Sequence, residues 1–305
     1  MKSVTGMIAV ALLAVSPGIS ASISDVKGAS QMVITVRPAS GSRPESLEAR
    51  DLTVLQGNTR ASVVHLQRLA GDLADMELFV LLDDSTRSSS LGIQLPELKT
   101  FLQSLPSTTQ VAIGYMRNGT FALAQAFTSD HQKAAKNLRL PTAIPGENGS
   151  PYFVLSDLAK HWPSKQPTGR RTVLMLTDGV DRYYGSATMD DPYVDAAVGD
   201  ALKEGVMVYS IYLRGAGLYG RGGWGTNLAQ SRLMEVSQKT GGHEYFEGLT
   251  DPVAISPFLS DLQDRLENQY QLTIEGLNDK GVQPVKVRTE LPGLKIESPT
   301  HVYVR

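Results

Sequence analysis

The sequence predicts an α/β protein: a doubly wound, mostly parallel sheet with one antiparallel edge strand, plus a small β layer built from the N- and C-terminal segments. Three observations carry this. Short, nearly unbroken apolar runs at residues 78–82 (LFVLL), 172–176 (TVLML) and 206–213 read as strands buried on both faces, as in a parallel sheet. Segments with helical apolar spacing alternate with them, which argues for βαβ units. Two of the runs lead directly into aspartate, Asp83 and Asp178, where a buried strand has to meet water.

Taken in order, the chain opens with MKSVTGMIAVALLAVSPGISAS. Lys2, an apolar run over 7–15 and the small residues after it read as a secretory signal, with cleavage near Ser20 or Ala21. The run is too short for a membrane span, which needs about twenty apolar residues. The expected mature protein is therefore soluble and secreted or periplasmic, with no later membrane segment. The chain has no cysteine, which removes a lipid-anchor site, a disulfide framework and a thiolate metal site together. A net charge of −2 with no basic block gives no support for nucleic-acid binding.

Residues 22–72 form an N-terminal β segment, with strands expected at 32–36, 52–55 and 61–66 and at most a helical turn near 45–49. Residues 73–250 hold the α/β unit. Its first strand is 78–82, followed by a helix over 91–105 with an apolar stripe at Leu95, Leu98, Phe101, Leu102 and Leu105. A strand at 111–116 then meets Asn118-Gly119, a hairpin signal that turns the chain back into 121–127. Helices are expected at 130–138, 152–161, 192–203 and 227–239, with strands at 172–176, 206–213 and 243–246. Residues 251–305 start with a helix over 253–268 and end in strands at 270–274, 285–289 and 302–304. These terminal strands cannot bury themselves alone and are expected to pair with the N-terminal segment.

The stretch LFVLLDDSTRSSS is the most informative. Its buried strand delivers Asp83, Asp84, Ser85, Thr86, Arg87 and Ser88 to the carboxyl end of the sheet, where ligands bind in open α/β folds. Clustered oxygen donors there suit a hard divalent cation such as Mg²⁺, Mn²⁺ or Ca²⁺. An adhesion-type metal site pairs D-x-S-x-S after one strand with a loop hydroxyl and an aspartate after another strand. Asp83 and Ser85 fill the first positions, Ser150 in GSPYFVLSDL is the candidate loop hydroxyl, and Asp178 in LTDG is the strand-end aspartate.

These residues, with the element order around them, resemble a von Willebrand factor A domain. LLDDS, LPELKTFLQSLP, VAIGYMRNGT, TDGVDRYYG, DDPYVDAA and VYSIYLRGAG are similar to bacterial secreted proteins described as acidobacterial VWFA-related, over residue 47 to the C-terminus. The resemblance implies an exported, non-catalytic adhesion or scaffold module. Its metal-ion-dependent adhesion site would bind a protein or peptide partner through a carboxylate of that partner. The same fold without metal is the alternative, and a metal-dependent hydrolase is a third reading.

Arg87 departs from the motif, because it stands where the second serine belongs. A guanidinium about 4 Å from a divalent cation would be repelled by roughly 8 kcal/mol at an effective dielectric near 20. Either Arg87 points away, or the metal is absent and Arg87 neutralises Asp83 and Asp178. A shifted register, Asp84, Thr86 and Ser88, spells D-x-T-x-S, but its side chains would leave the strand on the opposite face.

Other signals are weaker. Residues 215–220 spell GxGxxG after a late strand, but RGGWGT delays the helix, so a mobile loop carrying Tyr219 and Trp224 is the better reading than a nucleotide site. Those aromatics, with Tyr183 and Tyr184 after Asp178, either anchor a partner or pack back onto the domain, and Arg87 joins them as a candidate partner contact. The five histidines are scattered, with no HExxH pair and no GxSxG elbow, so no catalytic residue is assigned.

Overall fold

The computed structural model describes residues 29–38, 47–144, 149–165, 170–184, 190–215, 223–276 and 279–305. The expected signal segment lies outside these residues, and no described helix is long and apolar enough to cross a membrane. In the N-terminal segment, β1 (Ser30–Pro38), β2 (Leu52–Gln56) and β3 (Thr59–Arg68) follow the expected strands. The expected helical turn is a short 3-10 turn at Ala49–Asp51.

The α/β unit begins with β4 (Met76–Asp83), in which every residue is buried. It continues through α1 (Ser88–Ser104), β5 (Thr109–Arg117), β6 (Thr120–Thr128), α2 (His131–Lys136), α3 (Pro151–Lys160) and β7 (Arg171–Thr177). The remaining elements are α4 (Pro192–Lys203), β8 (Val206–Tyr212), α5 (Gly223–Thr240) and β9 (Glu244–Tyr245). The strands form one sheet in the order β6-β5-β4-β7-β8-β9, with β6 antiparallel at the edge and the others parallel. Asn118 and Gly119 both have positive φ, 47° and 79°, the requirement of the tight turn that joins β5 to β6.

Alternation along β4 divides the core. Leu78, Val80 and Leu82 pack with α1 and α2 residues on one face, while Phe79 and Leu81 pack with α3, α4 and α5 residues on the other. A further helix, α6 (Ser256–Glu267), adds Leu259, Leu262 and Leu266 to the first face. Both faces of the sheet are covered, which is why its strands read as continuous apolar runs.

The terminal β structure is larger than the expected small layer. It comprises β10 (Gln269–Glu275), β11 (Gly281–Pro284), β12 (Lys286–Thr289), β13 (Leu294–Glu297) and β14 (His301–Val304) with the three N-terminal strands. Six of them form an antiparallel sheet in the order β12-β2-β3-β10-β1-β13, and β11 pairs separately with β14. The edge strands β12 and β13 lie against each other, which curls the sheet toward a barrel around Ile34, Val54, Leu272 and Ile274. It joins the α/β unit where Arg170 donates to the Leu266 carbonyl and to Gln269 Oε1, each at 2.9 Å. Arg170 immediately precedes β7, so this junction lies at the amino end of the parallel strands, opposite the aspartates.

Candidate functional site at the carboxyl ends of β4 and β7

Strand order creates the crevice. From β4 the chain passes through α1 to β5 on one side, and later returns through α3 to β7 on the other side. The connections therefore diverge at β4, which opens a gap above its carboxyl end. Asp83 is the last residue of β4 and Asp178 the first after β7. The parallel register sets Leu82 beside Leu176, which brings Thr177 next to Asp83.

Asp83 lies on the α3 and α4 face, like Phe79 and Leu81. Its Oδ1 accepts from the Ser85 amide at 2.9 Å and the Ser85 hydroxyl at 2.8 Å. Its Oδ2 accepts from the Thr177 hydroxyl at 2.9 Å. Burial, and then the negative charge of Asp178, push the Asp83 carboxyl above its ordinary pKa, against the pull of these hydrogen bonds. Thr177 was not among the residues singled out from sequence; the signal for it was its place before Asp178 in the strand that pairs with β4.

Asp178 is held differently. Its Oδ1 accepts from the Val180 amide at 3.0 Å, and its Oδ2 meets the Arg182 guanidinium at 2.6 Å. Gly215 closes over the same oxygen, so that a Cβ there would stand 1.9 Å from Asp178 Oδ2. The first glycine of the GxGxxG stretch thus makes room for a carboxylate. Burial works against the charge of Arg182, but Asp178 first, and then Asp83 and Asp181, stabilise it and raise its pKa.

Ser150 caps α3, accepting weakly from the Tyr152 and Phe153 amides, and its hydroxyl donates to Asp181 Oδ2 at 2.6 Å. The other Asp181 oxygen accepts from the Tyr183 and Tyr184 amides at 2.8 and 2.9 Å. The Arg182 amide donates to the Gly149 carbonyl at 2.6 Å. The loop after β7 is thereby tied to the loop before α3. Tyr183 lies directly over Gly149 and meets Phe153 edge-on at 5.3 Å, while Tyr184 meets Tyr193 edge-on at 6.1 Å. Both tyrosines pack inward on one side and remain exposed, 60% and 44%, on the other. Trp224 is exposed at the start of α5, and Tyr219 lies outside the described residues.

The shifted register is not assembled. Asp84 turns to the opposite face, where Arg139 grips it through two nitrogens at 2.6 and 3.1 Å. Arg117 lies 3.5 Å away, and Thr142 donates its amide at 2.9 Å and its hydroxyl at 3.2 Å. Burial opposes ionisation of Asp84, but Arg139 and Thr142 outweigh it and hold the carboxyl below its usual pKa. The Thr86 hydroxyl donates to the Asp83 carbonyl, and Ser88 is exposed.

Arg87 occupies the N-cap position of α1, half-buried, and makes no ion pair among the described residues. It therefore does not neutralise Asp83 and Asp178. The arginine that pairs with Asp178 is Arg182, four residues along the loop.

A divalent cation fits these residues poorly. Ser85 and Thr177 keep lone pairs after donating to Asp83, but Arg87 replaces one hydroxyl, and Arg182 holds the Asp178 oxygen. A cation there would stand beside a fixed positive charge. Among the described residues, no three His, Asp or Glu side chains are grouped to hold a metal ion.

No protein-family model matches the sequence, and no curated protein matches it. Among solved structures, the chain is similar to an aerotolerance-related membrane protein from Bacteroides fragilis NCTC 9343 carrying multiple mutations to serine. Identity is 13% and the TM-score 0.44, over 63% of this chain and 98% of that one. It is also similar to the conserved hypothetical protein BatB from Bacteroides thetaiotaomicron, with 17% identity and TM-score 0.44, over 62% and 96%. A third is proximal thread matrix protein 1 from the mussel byssus, with a zinc-occupied MIDAS motif; identity is 15% and TM-score 0.45, over 67% and 48%.

Proposed function

We propose that the protein is an exported, non-catalytic protein-binding module of the von Willebrand factor A type, acting as an adhesion or scaffold component. It takes a protein or peptide ligand at the carboxyl-end face of its parallel sheet, over a degenerate metal-ion-dependent adhesion site. One observation carries this reading: Asp83, Ser85, Thr177 and Asp178 converge above two adjacent strands at the point where their connections diverge. A buried carboxylate with a second carboxylate beside it, as Asp83 has in Asp178, is costly to the fold, and such costs concentrate at functional sites. The exposed faces of Tyr183 and Tyr184 rim the crevice and suit contact with a partner.

Selection of a displayed peptide library on the intact protein tests the reading. Selected peptides, some bearing a carboxylate, are expected to lose at least tenfold in affinity on Tyr183→Ala or Tyr184→Ala. They should be unaffected by Leu123→Ala, an exposed site on β6. Peptides indifferent to the two tyrosines, or peptides that are cleaved, would overturn it.

A further inference from the structure

The site has its own cation. We propose that Arg182 supplies the positive charge that the adhesion-site pattern assigns to a divalent metal, so that the native crevice binds no metal and its ligand is taken without one. This rests on reading the crevice as the interaction site, but it concerns only what neutralises the aspartates. The Arg182 guanidinium lies 2.6 Å from Asp178 Oδ2, and its side chain is only 14% exposed. Its backbone is fixed by the bond to the Gly149 carbonyl, beside the loop that presents Ser150. The two residues on either side of it are pinned as well, since Asp181 accepts both from Ser150 and from the Tyr183 amide.

The geometry separates the two arginines of this region. Arg87 follows β4, stands at the N-cap position of α1 without a side-chain cap bond and is half-buried, whereas Arg182 follows β7 and pairs with Asp178. Arg182 contacts Asp178 directly and also feels the charge of Asp83 at the end of β4 and of Asp181 on its own loop. A guanidinium has no acceptor, carries its charge at any accessible pH and presents several donors in one plane, so it can face several oxygens as a metal ion does. Unlike a metal it is tethered, and chelators cannot remove it. Gly215 completes the arrangement, because its missing side chain lets the backbone close over the Asp178 oxygen that Arg182 holds.

Removing the tethered charge should therefore create a metal site. Titration calorimetry with Mn²⁺ on the full chain is expected to show no saturable binding in wild type. Arg182→Ser should gain saturable binding, at least tenfold tighter than any in wild type. Arg87→Ser/Arg182→Ser, which restores the second motif hydroxyl, should bind tighter again. Arg182→Gln keeps a donor for Asp178 without the charge, and provides the test if the serine variant is unstable. It should also gain binding, and its melting temperature should rise with Mn²⁺ while that of wild type does not. Saturable wild-type binding that Asp178→Ala abolishes would overturn the proposal, as would folded Arg182→Ser and Arg182→Gln proteins that stay silent. Neither outcome touches the peptide-selection result, so failure here is distinguishable from failure of the interaction reading.

Discussion

Asp83 and Asp84 are neighbours in sequence and opposites in role. Both are buried at the end of β4, one on each face of the sheet. Asp84 is saturated by Arg139, Arg117 and Thr142, and its pKa is held down. Asp83 receives two hydroxyls and an amide, faces another carboxylate, and its pKa is pushed up. A carboxylate that is fully compensated holds the fold together. One that is hydrogen-bonded but sits beside a second carboxylate carries a like-charge cost that its neighbour on the other face does not.

The largest effect should come from the compensated member. Asp84→Ala leaves Arg139 without its bidentate partner and the Thr142 amide without an acceptor. Since Arg139 is partly exposed, the cost falls near the lower end for broken buried pairs, about 3 kcal/mol. Urea unfolding measures it, and a loss under about 1 kcal/mol would end the distinction drawn between the two aspartates.

Gly215→Ala probes the crevice itself. The added Cβ would drive the Asp178 carboxylate away from Arg182, an overpacking cost of about 2 kcal/mol. Combined with Asp178→Ala the cost should shrink, because the two nearest atoms of the clash, Oδ2 and Cγ, are gone and only Cβ at 2.9 Å remains. A double-mutant cycle reads that coupling. Additive effects would mean that Gly215 matters for its backbone alone.

Tyr183→Ala should cost less, about 0.5 to 1 kcal/mol for the lost edge-on contact with Phe153, because most of the ring is already exposed. A melting temperature that drops by more than about 4 °C, roughly 2 to 3 kcal/mol for a chain of this size, would show that Tyr183 is a core residue rather than a rim residue.

Much of this was legible in the chain. Five apolar residues followed by two aspartates indicate a doubly buried strand, and two-residue periodicity alone separates Asp83 from Asp84. Asp178 follows from the same logic applied to TVLMLTD. Arg182 did not, because it sits on a loop whose path depends on tertiary bonds from Asp181 to Ser150 and from the Arg182 amide to Gly149. Only its place four residues after Asp178 hinted at the pair. The terminal sheet was underestimated for a related reason. β11 and β13 are four-residue strands with mixed polarity, and their pairing is decided by partners far away in sequence.

The smallest change in stability is expected for Asp83→Asn, and it tests the comparison most directly. The amide removes a buried charge facing Asp178 while Ser85 and Thr177 can turn their hydroxyls to suit it, so stability at neutral pH should stay within about 1 kcal/mol of wild type. The pH dependence should change more than the magnitude. Between the unfolded value, near 4, and its raised native value, Asp83 binds more proton in the folded state. Stability from this group therefore grows as pH falls through that window. Asp84 has the opposite sign: its contribution is complete above the unfolded value and is lost as pH falls through its depressed native value. Urea unfolding across mildly acidic pH should show the Asp83 gain in wild type and its absence in Asp83→Asn, with the steeper acid loss from Asp84 left in place. An unchanged slope, or a neutral-pH loss above about 2 kcal/mol, would show that Asp83 is compensated like its neighbour and carries no like-charge cost.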